Sequence, residues 1–162
     1  PMADWIGELW TDGSTLMVGS ASFAGWGGFQ RGIIGQLDAS GTWTTYTTGQ
    51  NGIPNGYPIS MDECGSYLYV GLFNNNGGVT YIDLANTTAS GSFTTSVLKS
   101  GRVAAVACDP SDTLYVGYDD DNLPISKYDT TQSAWIAEID ECGLNPRLRE
   151  HNNSFATIST RV

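Results

Sequence analysis

The sequence predicts an all-β chain in which one small antiparallel sheet is written three times. Three observations carry this. The string Leu-x-Val-Gly recurs at Leu16–Gly19, Leu68–Gly71 and Leu114–Gly117, with the valines 52 and 46 residues apart. Each copy follows a polar turn: Asp12-Gly13-Ser14, Glu63-Cys64-Gly65-Ser66 and Asp109-Pro110-Ser111-Asp112. The chain is rich in Gly (20 residues), Thr, Ser, Tyr and Trp, with no amphipathic helical pattern of ten residues or more, as expected for short strands joined by tight turns.

The repeated unit is laid out most clearly from Thr42 to Asp83. An aromatic-led strand (Trp43-Thr44-Thr45-Tyr46) precedes a Gly- and Pro-containing link, Gly49 to Pro58. A strand at Ile59-Ser60-Met61, a turn at Asp62 to Gly65 and the strand Leu68-Tyr69-Val70-Gly71 follow. The loop Asn74 to Gly78 leads into Val79 to Asp83. With the strands labelled a, b, c and d, each copy closes strand c near an aspartate: Ile33 to Asp38, Val79 to Asp83, Ile125 to Asp129. An aromatic-led strand d then follows at Trp43, Phe93 and Trp135. From Val to Asp the step is 13 residues in the second and third copies and 20 in the first, which places a seven-residue insertion within Ser20 to Gly32.

A four-stranded unit repeating every 40–50 residues or so is the signature of a β-propeller blade. A lone twisted sheet has two apolar faces and cannot cover both, whereas stacked blades cover one another. Leu68 and Val70 should therefore face one neighbouring blade and Tyr69 the other, and the Gly after Val should let blades approach closely. The blades are expected at about 4–57, 58–101 and 102–146 of a single propeller-type domain, with 147–162 as strands a and b of a partial fourth. Three blades and a fraction do not close a ring of four to eight. The chain is thus expected to be a piece of a longer propeller or to associate, with copies or other blades completing the ring.

Composition narrows the partners. Hydrophobic residues make up 40%, enough for a real core in 162 residues. A net charge of −10, with only 7 Lys+Arg, argues against nucleic acid or anionic lipid as a partner, since both require clustered cations. No apolar run of membrane-spanning length occurs. The chain begins at Pro1 without a visible signal peptide and reads as a processed or excised piece. Cys64, Cys108 and Cys142 lack zinc spacing; three buried thiols are the first expectation and one disulfide the second. The string Asp-Glu-Cys-Gly occurs at both Asp62–Gly65 and Asp140–Gly143, at different repeat phases.

The stretch from Thr42 to Asp83 resembles the repeat of two-component-regulator propellers, found in periplasmic sensor regions of hybrid histidine kinases and in other secreted bacterial propellers. The matching features are Gly52-Ile53-Pro54 in the link, Asp62 with Gly65 at the turn, Leu68 to Gly71 in strand b, and Gly77-Gly78 before the last hairpin. The third copy departs, with Gly143-Leu144-Asn145-Pro146 as its link and no Gly-Gly between Asp119 and Pro124. The second copy has the short link Lys99-Ser100-Gly101. The resemblance implies an exported protein, periplasmic, cell-surface or secreted. It also implies that the b–c loops share one face with the links from d to the next a, where propellers usually hold ligands.

On that face, the b–c loop Ser20 to Gly32 sets Phe23, Trp26 and Phe29 beside Gln30 and Arg31. Flat aromatic faces with nearby donors suit a sugar ring or a peptide side chain; the plain alternative is packing at the blade's own edge. Asp119, Asp120 and Asp121 offer the hard oxygens that calcium favours, without the spaced order of a calcium loop; a solvated acidic turn is the plain alternative. Otherwise no cofactor is implied. Catalysis has little support: His151 is the lone histidine, no nucleophilic triad can be assembled, and no cysteine has a basic neighbour. Asp38, Asp83 and Asp129 recur at one phase, which fits hairpin capping better than an active site. The expected function is therefore a non-catalytic ligand-binding or scaffold propeller module of an exported sensor or adhesion protein. The alternatives are a propeller enzyme (lyase or glycosidase) with catalytic residues partly outside this chain, and a propeller piece without activity of its own.

Overall fold

The structure, a computed structural model, describes residues 5–23, 29–86, 90–93, 98, 100, 102–119 and 125–135; for residues 22, 23, 29–31 and 90 it describes the backbone only. The described residues form twelve strands and no helix. They are β1 (Trp5–Thr11), β2 (Leu16–Phe23), β3 (Phe29–Leu37), β4 (Trp43–Thr47), β5 (Tyr57–Cys64), β6 (Tyr67–Phe73), β7 (Gly78–Asp83), β8 (Ser90–Phe93), β9 (Val103–Cys108), β10 (Thr113–Tyr118), β11 (Ser126–Asp129) and β12 (Ala134–Trp135). They make three separate antiparallel sheets, β1-β2-β3-β4, β5-β6-β7-β8 and β9-β10-β11-β12, each in simple meander order. These are three propeller blades in an open stack. The expected partial blade at 147–162 lies outside the described residues.

Alternation along strand b decides how the blades stack. Leu68, Val70 and Leu72 of β6, with Ile82 of β7, pack against Met17 and Ile34 of the first blade. Tyr69, one residue out of phase, joins Val79 in the opposite cluster, against Val103, Val106, Leu114 and Val116 of the third blade. The expected division of Leu68 and Val70 from Tyr69 is what a period of two imposes. Burial among the phenol rings of Tyr128, Tyr81 and Tyr67 pushes the Tyr69 phenol well above its ordinary pKa. The Gly that ends the first and second anchors is a point of close approach. A Cβ on Gly71 would lie 2.9 Å from Val103 Cγ1, and one on Gly19 would lie 2.8 Å from both Met61 Cε and Pro58 Cβ.

Turns are capped by aspartate, as the repeat phase predicts. Asp38 Oδ1 accepts from Ser40 N, Ser40 Oγ and Thr42 N; Asp83 Oδ1 from Ala85 N and Asn86 N; Asp129 Oδ1 from Thr131 N, Thr131 Oγ1 and Gln132 N. Asp12 and Asp109 do the same in two a–b turns.

Several local expectations are corrected. Asp62 is not in a turn: β5 continues to Cys64, opposite Tyr67, and the turn is the pair Gly65-Ser66, with Gly65 at φ 61°. Strand a of the second blade likewise starts at Tyr57, not Ile59. Phe93 does not lead strand d. It stands opposite Val79 at the end of β8, where its ring meets Tyr81, Tyr128 and Trp135. The insertion in the first copy is absorbed by longer strands, since β2 and β3 remain paired as far as Phe23 and Phe29.

The cysteines form one disulfide, Cys64–Cys108, with Cα atoms 5.4 Å apart; Cys142 lies outside the described residues. It joins the ends of β5 and β9, the first strands of adjacent blades. The same face of β5 supplies two further ties: Ser60 Oγ bonds Val106 N and O, and Asp62 Oδ2 accepts from Cys108 N at 2.7 Å. Residues 60, 62 and 64 alternate onto one face, so three successive side chains fasten one strand to the backbone and thiol of the next blade's strand.

Candidate functional site

All three first strands carry a β-bulge at the same repeat position. Gly7 is skipped between Ile6↔Ser20 and Glu8↔Gly19, Ile59 between Pro58↔Leu72 and Ser60↔Gly71, and Ala104 between Val103↔Tyr118 and Ala105↔Gly117. A bulge bends its strand and re-aims a residue. Here all three extra residues line one cavity of about 380 Å³, together with Trp5, Tyr57, Phe73 and Asp119.

The walls follow from the same register. Two residues before each bulge stand Trp5, Tyr57 and Arg102. Their cross-strand partners at the end of strand b are Ala21, Phe73 and Asp119: Trp5↔Ala21 and Tyr57↔Phe73 are paired in register, and Asp119 N donates to Arg102 O at 2.9 Å. One repeat position thus holds an aromatic–small pair, an aromatic–aromatic pair and an ion pair. The Arg102 guanidinium bonds the Asp119 carboxylate, both side chains being about half exposed, and sits 4.8 Å from the centre of the Phe73 ring. That contact ties the charged end to the aromatic wall. Gly7 is required where it stands, because a Cβ there would strike the Pro58 carbonyl oxygen and the Trp5 ring.

The cavity is therefore lined by Gly7, Ile59 and Ala104, by the aromatic Trp5, Tyr57 and Phe73, and by Asp119, whose carboxylate holds Arg102. It lies where strands a begin and strands b end, the end of the stack from which the b–c connections leave. Among its described lining residues there is no Ser, Thr, Cys, Lys or His.

The residues singled out from the sequence fare differently. The backbone of Phe23, Phe29, Gln30 and Arg31 lies in the β2–β3 hairpin at this same end, with Phe23 opposite Phe29 and Ser22 opposite Arg31. Trp26 lies outside the described residues, as do Asp120, Asp121 and His151. Asp119 is brought to the cavity, with its carboxylate bound to Arg102. Trp5, Tyr57, Phe73 and Arg102 were not expected. The usable signal was the spacing of Trp5 and Tyr57, 52 residues apart like the first two valines, at the start of strand a.

No protein-family model matches the chain, and no curated protein does. Among solved structures, a chain described as the extracellular domain of a one-component system from B. thetaiotaomicron aligns with a TM-score of 0.45 at 14% identity. The alignment covers 83% of this chain and 22% of that one, so the chain spans about a fifth of that structure's length.

Elsewhere, Cys64, Cys108 and Asp112 offer ligand atoms within 4.8 Å of one another, but both sulfurs are committed to the disulfide. Asp112 instead serves the blade contact through its Oδ1, which accepts from Gly65 N, while its carbonyl accepts from Thr130 within its own blade. Glu8, next to the Gly7 bulge, has its pKa raised by burial and by the charge of Asp62, while the bond from Leu9 N pulls the other way.

Proposed function

We propose that this chain is a non-catalytic ligand-binding module of an exported sensor or adhesion-type protein, and that its ligand is a carbohydrate ring seated in the bulge-lined cavity. The observation that carries this reading is the convergence of Trp5, Tyr57 and Phe73 around one cavity with the Arg102–Asp119 pair at its edge. Aromatic faces take the C–H face of a sugar, and a coupled guanidinium and carboxylate supply a donor and an acceptor to neighbouring hydroxyls. The volume falls in the ordinary range of small-ligand sites. An anionic ligand is disfavoured, since Arg102 is already neutralised and the chain carries a net charge of −10.

Export is supported by the inter-blade disulfide, because such bonds persist mainly in oxidising compartments. The two-component-regulator repeat pattern of the sequence points the same way. A glycan array followed by tryptophan-fluorescence titration tests the reading. Binding of a neutral glycan, weakened at least tenfold by Trp5→Ala and by Asp119→Asn without turnover of the glycan, is the expected result. A ligand that binds equally well to both variants, no binding across the array, or hydrolysis of the bound glycan overturns it.

A further inference from the structure

Two blade-to-blade interfaces are built within this chain, and they are made alike. The following blade presents Leu and Val of strand b, fully buried in both cases: Leu68 and Val70, then Leu114 and Val116. The preceding blade covers them with one residue of strand b and one of strand c at fixed repeat positions. These are Met17 and Ile34 in the first interface, Tyr69 and Val79 in the second.

The first blade carries the leading half of this interface again. Leu16 and Val18 stand where Leu68 and Val70 do, and Leu37 where Ile82 does. Their cross-strand partners extend the row on the same face: Leu9 opposite Val18, Ile6 opposite Ser20, Trp43 opposite Leu37. The Trp43 ring lies across this face, close enough that a Cβ on Gly35 would be 3.1 Å from it. Ile6, Leu9 and Trp43 remain 58%, 56% and 55% exposed, whereas Pro58 and Met61, the counterparts of Ile6 and Leu9 in the second blade, are buried. Ile6, Leu9, Leu16, Val18, Leu37 and Trp43 are all uncharged, in a chain of net charge −10.

We infer that this face docks the trailing face of the third blade of a second copy of the chain, head to tail. The occupant is argued from the two interfaces already present, since the chain shows twice what covers a Leu-x-Val row. The chain also carries the complementary half. In the third blade the covering positions are Tyr115 and Ile125, both only partly buried, with Ala107 beside Tyr115 in register. A head-to-tail contact of this kind closes into a ring when the rotation allows. The contact stands or falls independently of the cavity's ligand.

Sedimentation velocity at micromolar concentration reads the outcome. The parent chain is expected to sediment at twice the chain mass, and Leu9→Lys and Ile125→Lys each as a single chain. Both positions are exposed or part-exposed, and circular dichroism confirms folding; Trp43→Ser replaces Leu9→Lys if that variant does not fold. An equimolar mixture of the two lysine variants should recover a dimer, because one of its two contacts is then wild-type on both sides. A parent that is monomeric, a dimer that survives Leu9→Lys or Trp43→Ser, or a dimer that survives Ile125→Lys overturns the proposal.

Discussion

Removing the Cys64–Cys108 bond should cost more than any other single change of comparable size. The bond closes a loop of 44 residues between the first strands of the second and third blades. Without it, the unfolded chain regains the closure entropy of that loop, which the chain-entropy relation puts at about 4 kcal/mol. For a chain of this length, that corresponds to a fall in Tm of roughly 8 to 16 °C. The Ser60 and Asp62 bonds to Val106 and Cys108 survive the change, so the native contact should weaken without parting. The assay is equilibrium urea unfolding of the parent, the reduced parent and the Cys64→Ser/Cys108→Ser double variant. It is accompanied by thiol titration of the denatured, unreduced parent. One reactive thiol, from Cys142, and a large downward shift of midpoint in both modified forms are expected. Three reactive thiols, or midpoints that coincide, would refute the reasoning and with it the argument for an oxidising compartment.

Two further predictions follow from packing and from charge. Gly71→Ala places a methyl 2.9 Å from Val103 Cγ1 in the closed second–third interface and should destabilise by about 1–3 kcal/mol, read from the urea midpoint; an unchanged midpoint would show that the blades can slide apart. Acid should also destabilise the fold. Asp38 is held below the usual carboxylate range chiefly by the Ser40 hydroxyl, Asp129 by that of Thr131, and Asp12 by the Thr15 amide. For Asp109, partial burial raises the pKa, but the bonds from Thr113, Ser111 and Tyr115 outweigh it. A lowered folded pKa means a contribution that is whole above the ordinary carboxylate pKa and lost as pH falls through the lower folded values. The urea midpoint should therefore drop as the pH falls below the ordinary carboxylate pKa, and less steeply in Asp129→Asn; identical pH profiles for parent and variant would remove that turn from the account.

The blade pattern was legible in the sequence because it is dictated by local chemistry. Leu-x-Val-Gly encodes a strand buried on both faces with a close approach at its end, and an Asp followed by small hydroxyl residues encodes a capped turn. What escaped was set by contacts between blades. Nothing local marks Asp62 as a strand residue; Asp-Glu-Cys-Gly-Ser reads as a turn. It becomes a strand because its carboxylate finds the Cys108 amide of the neighbouring blade and because Cys64 is carried on to meet Cys108. The disulfide was the second expectation for the same reason, since its partners are distant in sequence and meet only once the blades stack.

The cavity was missed through a subtler effect of register. Alternation alone assigns a residue to one face or the other of its sheet, and therefore to one neighbouring blade or the other. A bulge adds a residue that belongs to neither series, and at Gly7, Ile59 and Ala104 that residue is turned to the cavity. Because the bulge recurs in all three blades, it is a property of the repeat and not an accident of one strand. What the copies vary is the position two residues earlier: Trp5, Tyr57, Arg102. The scaffold is held constant while the wall changes from aromatic to charged, and the strand-b partners change with it, from Ala21 to Phe73 to Asp119. The third blade thus places an ion pair where the second places two aromatic rings and the first an aromatic and a small residue. The pairing of Arg102 with Asp119 across strands makes that exception self-neutralising, so it adds polarity without adding net charge.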